Sequence, residues 1–184
     1  MSRLLLAVAA TLLACAGEAY AGKFPERTVN LVVPSPAGGS TDVLARVLST
    51  RLAEQWGQQV VVDDVPGKSS VVGTQAVAAA PPDGHTLLVA NATLAINEAL
   101  SRDLPYHASR SFAPVSLLAA QHLVLAVPGN SPIHSVDALV SQARNSPVAL
   151  PYGTAPVGNL SHLAGELLKL MASVNVVNAA PMSF

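Results

Sequence analysis

Apolar runs rich in valine alternate along the chain with alanine- and leucine-rich stretches of helical period. Short continuous apolar runs are typical of strands buried on both faces, and their alternation with helices is typical of a mainly parallel sheet. The pattern therefore predicts an α/β fold. The predicted strands are Val29–Val33, Gln59–Val62, Thr86–Ala90, Ala113–Leu118, Leu123–Val127, Val148–Leu150 and Val174–Val177. The predicted helices are Asp42–Trp56, Val71–Ala80, Val136–Arg144 and Ser161–Met171.

The first predicted helix has an amphipathic pattern. Val43, Val47 and Leu48 share one face, whereas Arg46 points away from it. An apolar stripe of this kind normally packs against the core of a domain. We therefore expect these three side chains to be buried.

The first 21 residues have the pattern of a secretory signal peptide. Arg3 precedes an apolar run of roughly 13 residues, which is too short to span a bilayer because a spanning helix needs ~20. The small-residue triplet Ala19-Tyr20-Ala21 follows, and it predicts cleavage after Ala21 and export to the periplasm. The alternative is a lipoprotein, acylated at Cys15 and held at a membrane.

Charge and cysteine content exclude several classes of function. The chain has 10 basic and 11 acidic side chains, and its net charge of −1 gives no basis for a nucleic-acid partner. Cys15 is the only cysteine, so cleavage would leave no disulfide and no thiolate nucleophile. The five histidines never occur at His-x-x-x-His spacing. We therefore predict no metal site and no cofactor.

One small-residue segment, Pro34–Asp42, leaves a predicted strand and enters a predicted helix. Gly38 and Gly39 allow the main chain to approach a ligand closely, and the free N–H groups of a helix start favour an anion. A cradle for a small carboxylate or phosphate fits this segment. A tight turn with nothing bound fits it equally well.

A second segment, Leu150–His162, repeats the same plan. It also runs from a predicted strand through small residues to a predicted helix start. Loops at the carboxyl ends of parallel strands open onto one crevice, where α/β sheets bind ligands. The pairing of the two segments favours a binding site over two empty turns.

Ordered motifs cover most of the chain, and they include Val32–Asp42, Leu52–Gln58, Pro82–Leu88, Leu104-Pro105-Tyr106, Phe112–Val115 and Ser161–Glu166. In these motifs the chain resembles the amino-terminal part of the substrate-binding receptors of tripartite tricarboxylate transporters, the Bug proteins. The resemblance implies a periplasmic-binding-protein-like fold of type II, a two-lobed Venus flytrap that closes on a small carboxylate. It also implies delivery of that ligand to the membrane subunits of the transporter, with no enzymatic activity.

By position, the resemblance assigns ligand binding to the two small-residue loops. The residues it implies are Ala37, Gly38, Gly39, Ser40, Thr41 and Asp42 in the first loop, and Tyr152, Gly153, Thr154, Ala155, Gly158 and Asn159 in the second. Asn91 and Thr93, after the third predicted strand, could line the same cleft. No catalytic residue is implied.

Three features depart from the family pattern. Asp64–Ser70 replaces the usual Asn-Arg-Pro-Gly-Ala-Gly-Gly run, and Pro156 stands where the second loop usually has a glycine. After Val177 the family pattern continues, but this chain ends at Phe184. We therefore expect a receptor fragment, incomplete at its C-terminal end, marginally folded and without tight ligand binding. Its expected divisions are a signal peptide at 1–21, a first-lobe part at 22–100 and a partial second lobe at 101–184.

The alternative function is a small exported α/β enzyme that uses the Gly38-Gly39 loop for an anionic substrate. The sequence has no Gly-x-Ser-x-Gly elbow, and Gly67-Lys68-Ser69 lacks the earlier glycine of a P-loop because Val62 occupies that position. A third possibility is a fragment without a transport role. A receptor is stabilised by its ligand without turnover, whereas an enzyme consumes it.

Overall fold

The computed structural model describes residues 23–154 and 158–179. The predicted signal peptide, Cys15 and Ala155 lie outside these ranges. The first six elements are β1 Val29–Val33, α1 Ser40–Trp56, β2 Val60–Asp64, α2 Val71–Ala78, β3 Thr86–Leu88 and α3 Thr93–Leu100. The others are α4 Val136–Asn145, β4 Leu150–Gly153, α5 Leu160–Ala172 and β5 Val176–Ala179. Within these ranges, no helix is both long enough and apolar enough to cross a membrane.

The first three strands form one parallel sheet with β1 at its centre, in the order β2-β1-β3. Val33 at the end of β1 is in register with Asp64 of β2, and Val32 is in register with Leu88 of β3. Because the strands are parallel, their carboxyl ends meet at the same edge. The loops into α1, α2 and α3 therefore all begin at that edge.

The core of this sheet is built on the central strand. Val29, Leu31 and Val33 are at most 1% exposed, and Ala45 of α1 and Val89 complete the buried cluster. Burial of each large aliphatic side chain stabilises the fold by about 1.5–3 kcal/mol. The continuous apolar run that predicted β1 thus reflects a strand covered on both faces.

Helix α1 buries a different face from the predicted stripe. Asp42 and Ala45 are buried and Leu48 packs against the core, whereas Val43 and Val47 are 55% and 60% exposed. The prediction is therefore wrong for the two valines. The rotation of the helix is set by the inward-facing carboxylate of Asp42, whose contacts are described below.

The second sheet has two parallel strands, β4 and β5, with Leu150 in register with Val176. Ala143 of α4 is buried against Val174 and Val176. Two nitrogens of the Arg144 guanidinium donate to the Ala172 carbonyl oxygen, at 2.6 and 3.2 Å. This contact ties the end of α4 to the end of α5.

The predicted α/β fold with parallel sheets is confirmed, and each predicted helix is present with bounds shifted by up to two residues. Two predicted strands, Ala113–Leu118 and Leu123–Val127, are wrong, because no strand of the described part pairs with them. Val115, Leu117 and Val124 in these segments are more than 80% exposed. Helix α3 has no counterpart among the predicted elements. The division into lobes at residues 22–100 and 101–184 stays a prediction.

Candidate functional site

The carboxyl edge of the first sheet brings together three loops. The Val65 N–H donates to the Val33 carbonyl at 2.8 Å, and the Val89 N–H donates to the Val32 carbonyl at 2.9 Å. The chain after β2 and after β3 therefore stays beside the end of β1. This edge holds the first predicted binding loop together with Asn91 and Thr93.

The first cradle, residues 37–42, has the geometry of an anion site at a helix start. Gly38 is left-handed, at φ +83°, and Gly39 is the extended N-cap of α1. The first helical hydrogen bond runs from the Val43 N–H to the Gly39 carbonyl, at 3.0 Å. The N–H groups of Ser40 and Thr41 precede it, so they have no helical acceptor and point toward the loop. Residues 37–40 are exposed and Thr41 is half-buried, so the cradle is open to solvent on the side of Ser40.

Two consecutive ion pairs connect Asp42 of this cradle to Arg46 and Asp64. Asp42 Oδ2 accepts the Gly38 N–H at 2.7 Å, and Asp42 Oδ1 lies 2.6 Å from Arg46 Nε. The other end of the Arg46 guanidinium, Nη2, lies 2.7 Å from Asp64 Oδ2 at the end of β2. The first cradle is thus joined to the second strand through two ion pairs.

Arg46 and Asp64 were not predicted as site residues. The spacing of Asp42 and Arg46, one helical turn apart, is a signal for the first ion pair. The second pair joins residues 18 positions apart, and only the packing of α1 on β2 reveals it.

The loop after β2 is held close to the first cradle. A Cβ at Gly73 of α2 would lie 2.6 Å from the Val65 carbonyl oxygen and 2.9 Å from Pro34 Cα. Asn97 of α3 donates from Nδ2 to the Ser69 carbonyl at 2.7 Å. Helices α2 and α3 therefore contact the loops at this edge.

Asn91 and Thr93 form the start of α3. Asn91 Oδ1 accepts the Thr93 N–H at 2.9 Å, and Thr93 is 6% exposed. Asn91 itself is exposed at the carboxyl edge. Both residues thus have a local role in the helix start, and their role in lining a cleft stays a prediction.

The second cradle, residues 152–159, begins at the end of β4. Tyr152 donates from its hydroxyl to Glu166 Oε1 at 2.9 Å, and burial, together with Glu166, raises the pKa of Tyr152. The Tyr152 ring lies so close to α5 that a Cβ at Gly165 would overlap it. Thr154 is 8% exposed and donates to Asn178 Oδ1 of β5 at 3.2 Å. Gly153, between them, is exposed.

The helix start of the second cradle repeats the plan of the first. Gly158 is left-handed, at φ +87°, and Asn159 is the extended N-cap of α5, accepting the Ser161 N–H at 3.2 Å. The Gly158 N–H faces His162 Nδ1 at 3.5 Å. In both cradles the third helical residue therefore places an acceptor against the N–H of a left-handed glycine. His162 was not among the predicted binding residues, and Ala155 lies outside the described residues.

A cavity of about 170 Å³ lies near the end of α3, and no residue of either cradle lines it. It is lined by Glu98, Ser101, Arg102, Leu104, Tyr106 and His107. None of these residues belongs to the predicted binding set. Over residues 23–154 and 158–179, no group of three His, Cys, Asp or Glu side chains could hold a metal ion. A single crevice shared by the two cradles stays a prediction.

Known proteins resemble the chain in both sequence and structure. Residues 44–181 match the family described as tripartite tricarboxylate transporter family receptor, TctC. Protein BugT of Bordetella pertussis is 37% identical over 180 residues, which are 94% of this chain and 55% of that protein. The chain spans about half the length of the relatives it matches.

Two similar solved structures contain a small-molecule ligand. R. palustris Rpa4515 with adipate has a TM-score of 0.77 and 37% identity, covering 85% of this chain and 52% of that one. MatC from Rhodopseudomonas palustris with bound malate has a TM-score of 0.64 and 28% identity, covering 87% of this chain and 54% of that one. Both ligands are small dicarboxylates.

Proposed function

The chain belongs to the tripartite tricarboxylate transporter receptor family, and from that premise we propose that it recognises a small carboxylate in the periplasm. Adipate and malate in the two similar structures support a di- or tricarboxylate as the ligand class. The role is that of a receptor rather than an enzyme, which agrees with the family.

The observation that carries this proposal is the shared plan of the two cradles. Each has a left-handed glycine, an extended N-cap and a helix start with main-chain donors. Such donors and the helix dipole favour an anion by about 0.3–1 kcal/mol at exposed sites and up to ~2 kcal/mol at partly buried ones. Two cradles acting on one ligand would multiply its affinity. We propose that Ser40, Thr41 and Asn159 lie closest to the bound carboxylate.

The proposed location and partners follow from the sequence pattern and the family. Residues 1–21 would direct export, with acylation of Cys15 as the alternative to simple cleavage. In the periplasm the loaded receptor would dock on the membrane subunits of a tripartite tricarboxylate transporter. The division into lobes at 22–100 and 101–184 belongs to the same proposal.

A thermal titration tests the proposal. The full chain is melted in the presence of adipate or malate, with adipamide, which has no charge, as the ligand control. A ligand at ten times its dissociation constant stabilises a protein by about 1.4 kcal/mol, which raises the midpoint by about 3–6 °C in a chain of this size. We expect this rise with the dicarboxylates and none with adipamide. No rise with either dicarboxylate at millimolar concentration would refute the proposal.

Two glycine variants locate the effect at the first cradle. Gly39→Val places bulk in the cradle without backbone strain, because Gly39 has φ −74° and its nearest neighbour is the Pro36 carbonyl at 3.4 Å. Gly129→Val is the matched control, since a Cβ at Gly129 meets nothing within 4 Å. We expect Gly39→Val to abolish the ligand-dependent rise and Gly129→Val to preserve it.

The same titration tests two expectations from the sequence. Saturation only at millimolar ligand agrees with the expected absence of tight binding, and saturation at micromolar ligand contradicts it. Loss of the probe during incubation, followed by NMR, would favour the enzyme alternative. Unchanged adipate and malate spectra would favour the receptor.

A further inference from the structure

The first cradle, in which an anion is proposed to bind, contains a buried carboxylate. Asp42 is 3% exposed and follows Ser40 and Thr41 in the first turn of α1. A negative charge at this place opposes the binding of a second one. Its contacts indicate what it contributes instead.

The first contact fixes the shape of the loop. Asp42 Oδ2 accepts the Gly38 N–H at 2.7 Å, which is the length of a charge-assisted hydrogen bond. Gly38 is left-handed, and its N–H is turned toward the helix rather than outward. This N–H is therefore occupied by Asp42, and the donors that face outward are those of the following residues.

The second contact compensates the charge. Arg46 Nε lies 2.6 Å from Asp42 Oδ1, and the opposite side of the guanidinium lies 2.7 Å from Asp64 Oδ2. The side chain of Asp64 is 15% exposed and that of Arg46 is 54% exposed. Asp64 is thus a second carboxylate, and it holds the guanidinium at the end of β2.

We propose that Asp42 and Arg46 are positioning residues for carboxylate binding and do not touch the ligand. Asp42 fixes Gly38, Arg46 offsets the charge of Asp42 at close range, and Asp64 anchors Arg46. The inference rests on the proposed function, and it replaces the direct ligand-binding role that the family resemblance assigns to Asp42 and Gly38.

Substitutions at Asp42 separate positioning from direct contact. Asp42→Asn keeps an oxygen that can accept the Gly38 N–H, whereas Asp42→Ala removes the acceptor. We expect Asp42→Asn to bind adipate within about threefold of the wild-type chain and Asp42→Ala to bind at least about tenfold more weakly. Direct contact predicts similar losses in both variants.

Substitutions at Arg46 test the compensation of charge. Arg46→Met leaves the Asp42 carboxylate without its nearest cation, and we expect adipate binding about tenfold weaker. Adding Asp42→Asn removes that charge and should recover the affinity to within about threefold. Arg51→Met is the control on the same helix, because Arg51 pairs with exposed Glu54 at 3.1 Å, and it should leave binding unchanged.

The amide resonance of Gly38 gives a readout that needs no ligand. In the wild-type chain and in Asp42→Asn we expect slow hydrogen exchange at Gly38, and in Asp42→Ala fast exchange with the remaining amides unchanged. An unchanged Gly38 amide in Asp42→Ala, equal affinity losses in the two Asp42 variants, or no recovery in the double variant would overturn the positioning role. If the wild-type chain binds neither adipate nor malate while Gly38 responds as expected, the proposed function fails. The role of Asp42 in holding the Gly38 N–H would still stand.

Discussion

Gly73 of α2 packs closely against the carboxyl edge of the first sheet. A Cβ at this position would lie 2.6 Å from the Val65 carbonyl oxygen and 2.9 Å from Pro34 Cα, where ordinary contacts begin at 3.4 Å. Gly73→Ala therefore forces α2 outward by about 0.5–0.8 Å, because both obstructing atoms belong to the backbone.

The expected loss in the free energy of unfolding is the difference between two opposing effects. Overpacking of this kind costs typically 1–3 kcal/mol, and the rigid neighbours favour the upper end of that range. Alanine is better than glycine in a helix by about 1 kcal/mol, which offsets part of the cost. The expected net loss is about 2 kcal/mol, or about 4–8 °C in the unfolding midpoint for a chain of this length.

The assay is thermal unfolding followed by circular dichroism, with Gly129→Ala as the matched control. A Cβ at Gly129 meets nothing within 4 Å, so this variant should stay within about 0.5 kcal/mol of the wild-type chain. Because Pro34 begins the segment that leads into the first cradle, Gly73→Ala should also weaken adipate binding. Equal stability of Gly73→Ala and Gly129→Ala would show that α2 is not packed tightly against Pro34 and Val65.

Two further predictions concern the loops around the first sheet. Ser69 has a left-handed backbone at φ +53°, so Ser69→Gly should raise the free energy of unfolding by about 0.5–1 kcal/mol. As the control, Ser141→Gly in α4 should lower the free energy of unfolding by about 0.5 kcal/mol. Equal effects of the two substitutions in urea unfolding would exclude strain at Ser69. The His85 N–H, and to a smaller extent Arg27, lowers the pKa of Asp83 in the folded chain. The ionised Asp83 carboxylate therefore stabilises the fold above about pH 4, and this stabilisation is lost as the pH falls through the folded pKa. Asp83→Asn should therefore lower the unfolding midpoint at pH 7 and lose this difference at pH 2–3, while a constant difference would argue against the ionic contact.

Elements whose signals are local were predictable from the sequence. The apolar run of β1 and the proline and glycine residues that follow it specify a buried strand and a turn within a few positions. The segments 113–118 and 123–127 have equally apolar sequences, but a strand also requires a partner for its N–H and carbonyl groups. Pairing is a non-local property, and no strand of the described part lies beside them.

Helix α3 was missed because its buried face is polar. Its buried residues are Thr93 and Asn97, so the apolar period that marks a helix is absent from the sequence. Asn97 is buried because it supports the loop after β2 through the Ser69 carbonyl. A tertiary contact thus determines a face that local propensity does not reveal.

Part of the candidate site was likewise predictable from the sequence, and part was not. The two glycine loops were visible as small-residue segments between a strand and a helix. The ion pair between Arg46 and Asp64 was not, because it depends on how α1 lies across β2. The exposure of Val43 and Val47 has the same origin, since the contacts of Asp42 fix the rotation of α1.

We propose that both cradles hold one carboxylate ligand. The direct measurement is an amide chemical-shift titration of the isotope-labelled chain with adipate, read at Ser40 and Thr41 in the first cradle and at Gly158 and Asn159 in the second. We expect both sets of amides to shift along curves with one common dissociation constant. Shifts confined to one cradle, or two unrelated dissociation constants, would contradict it.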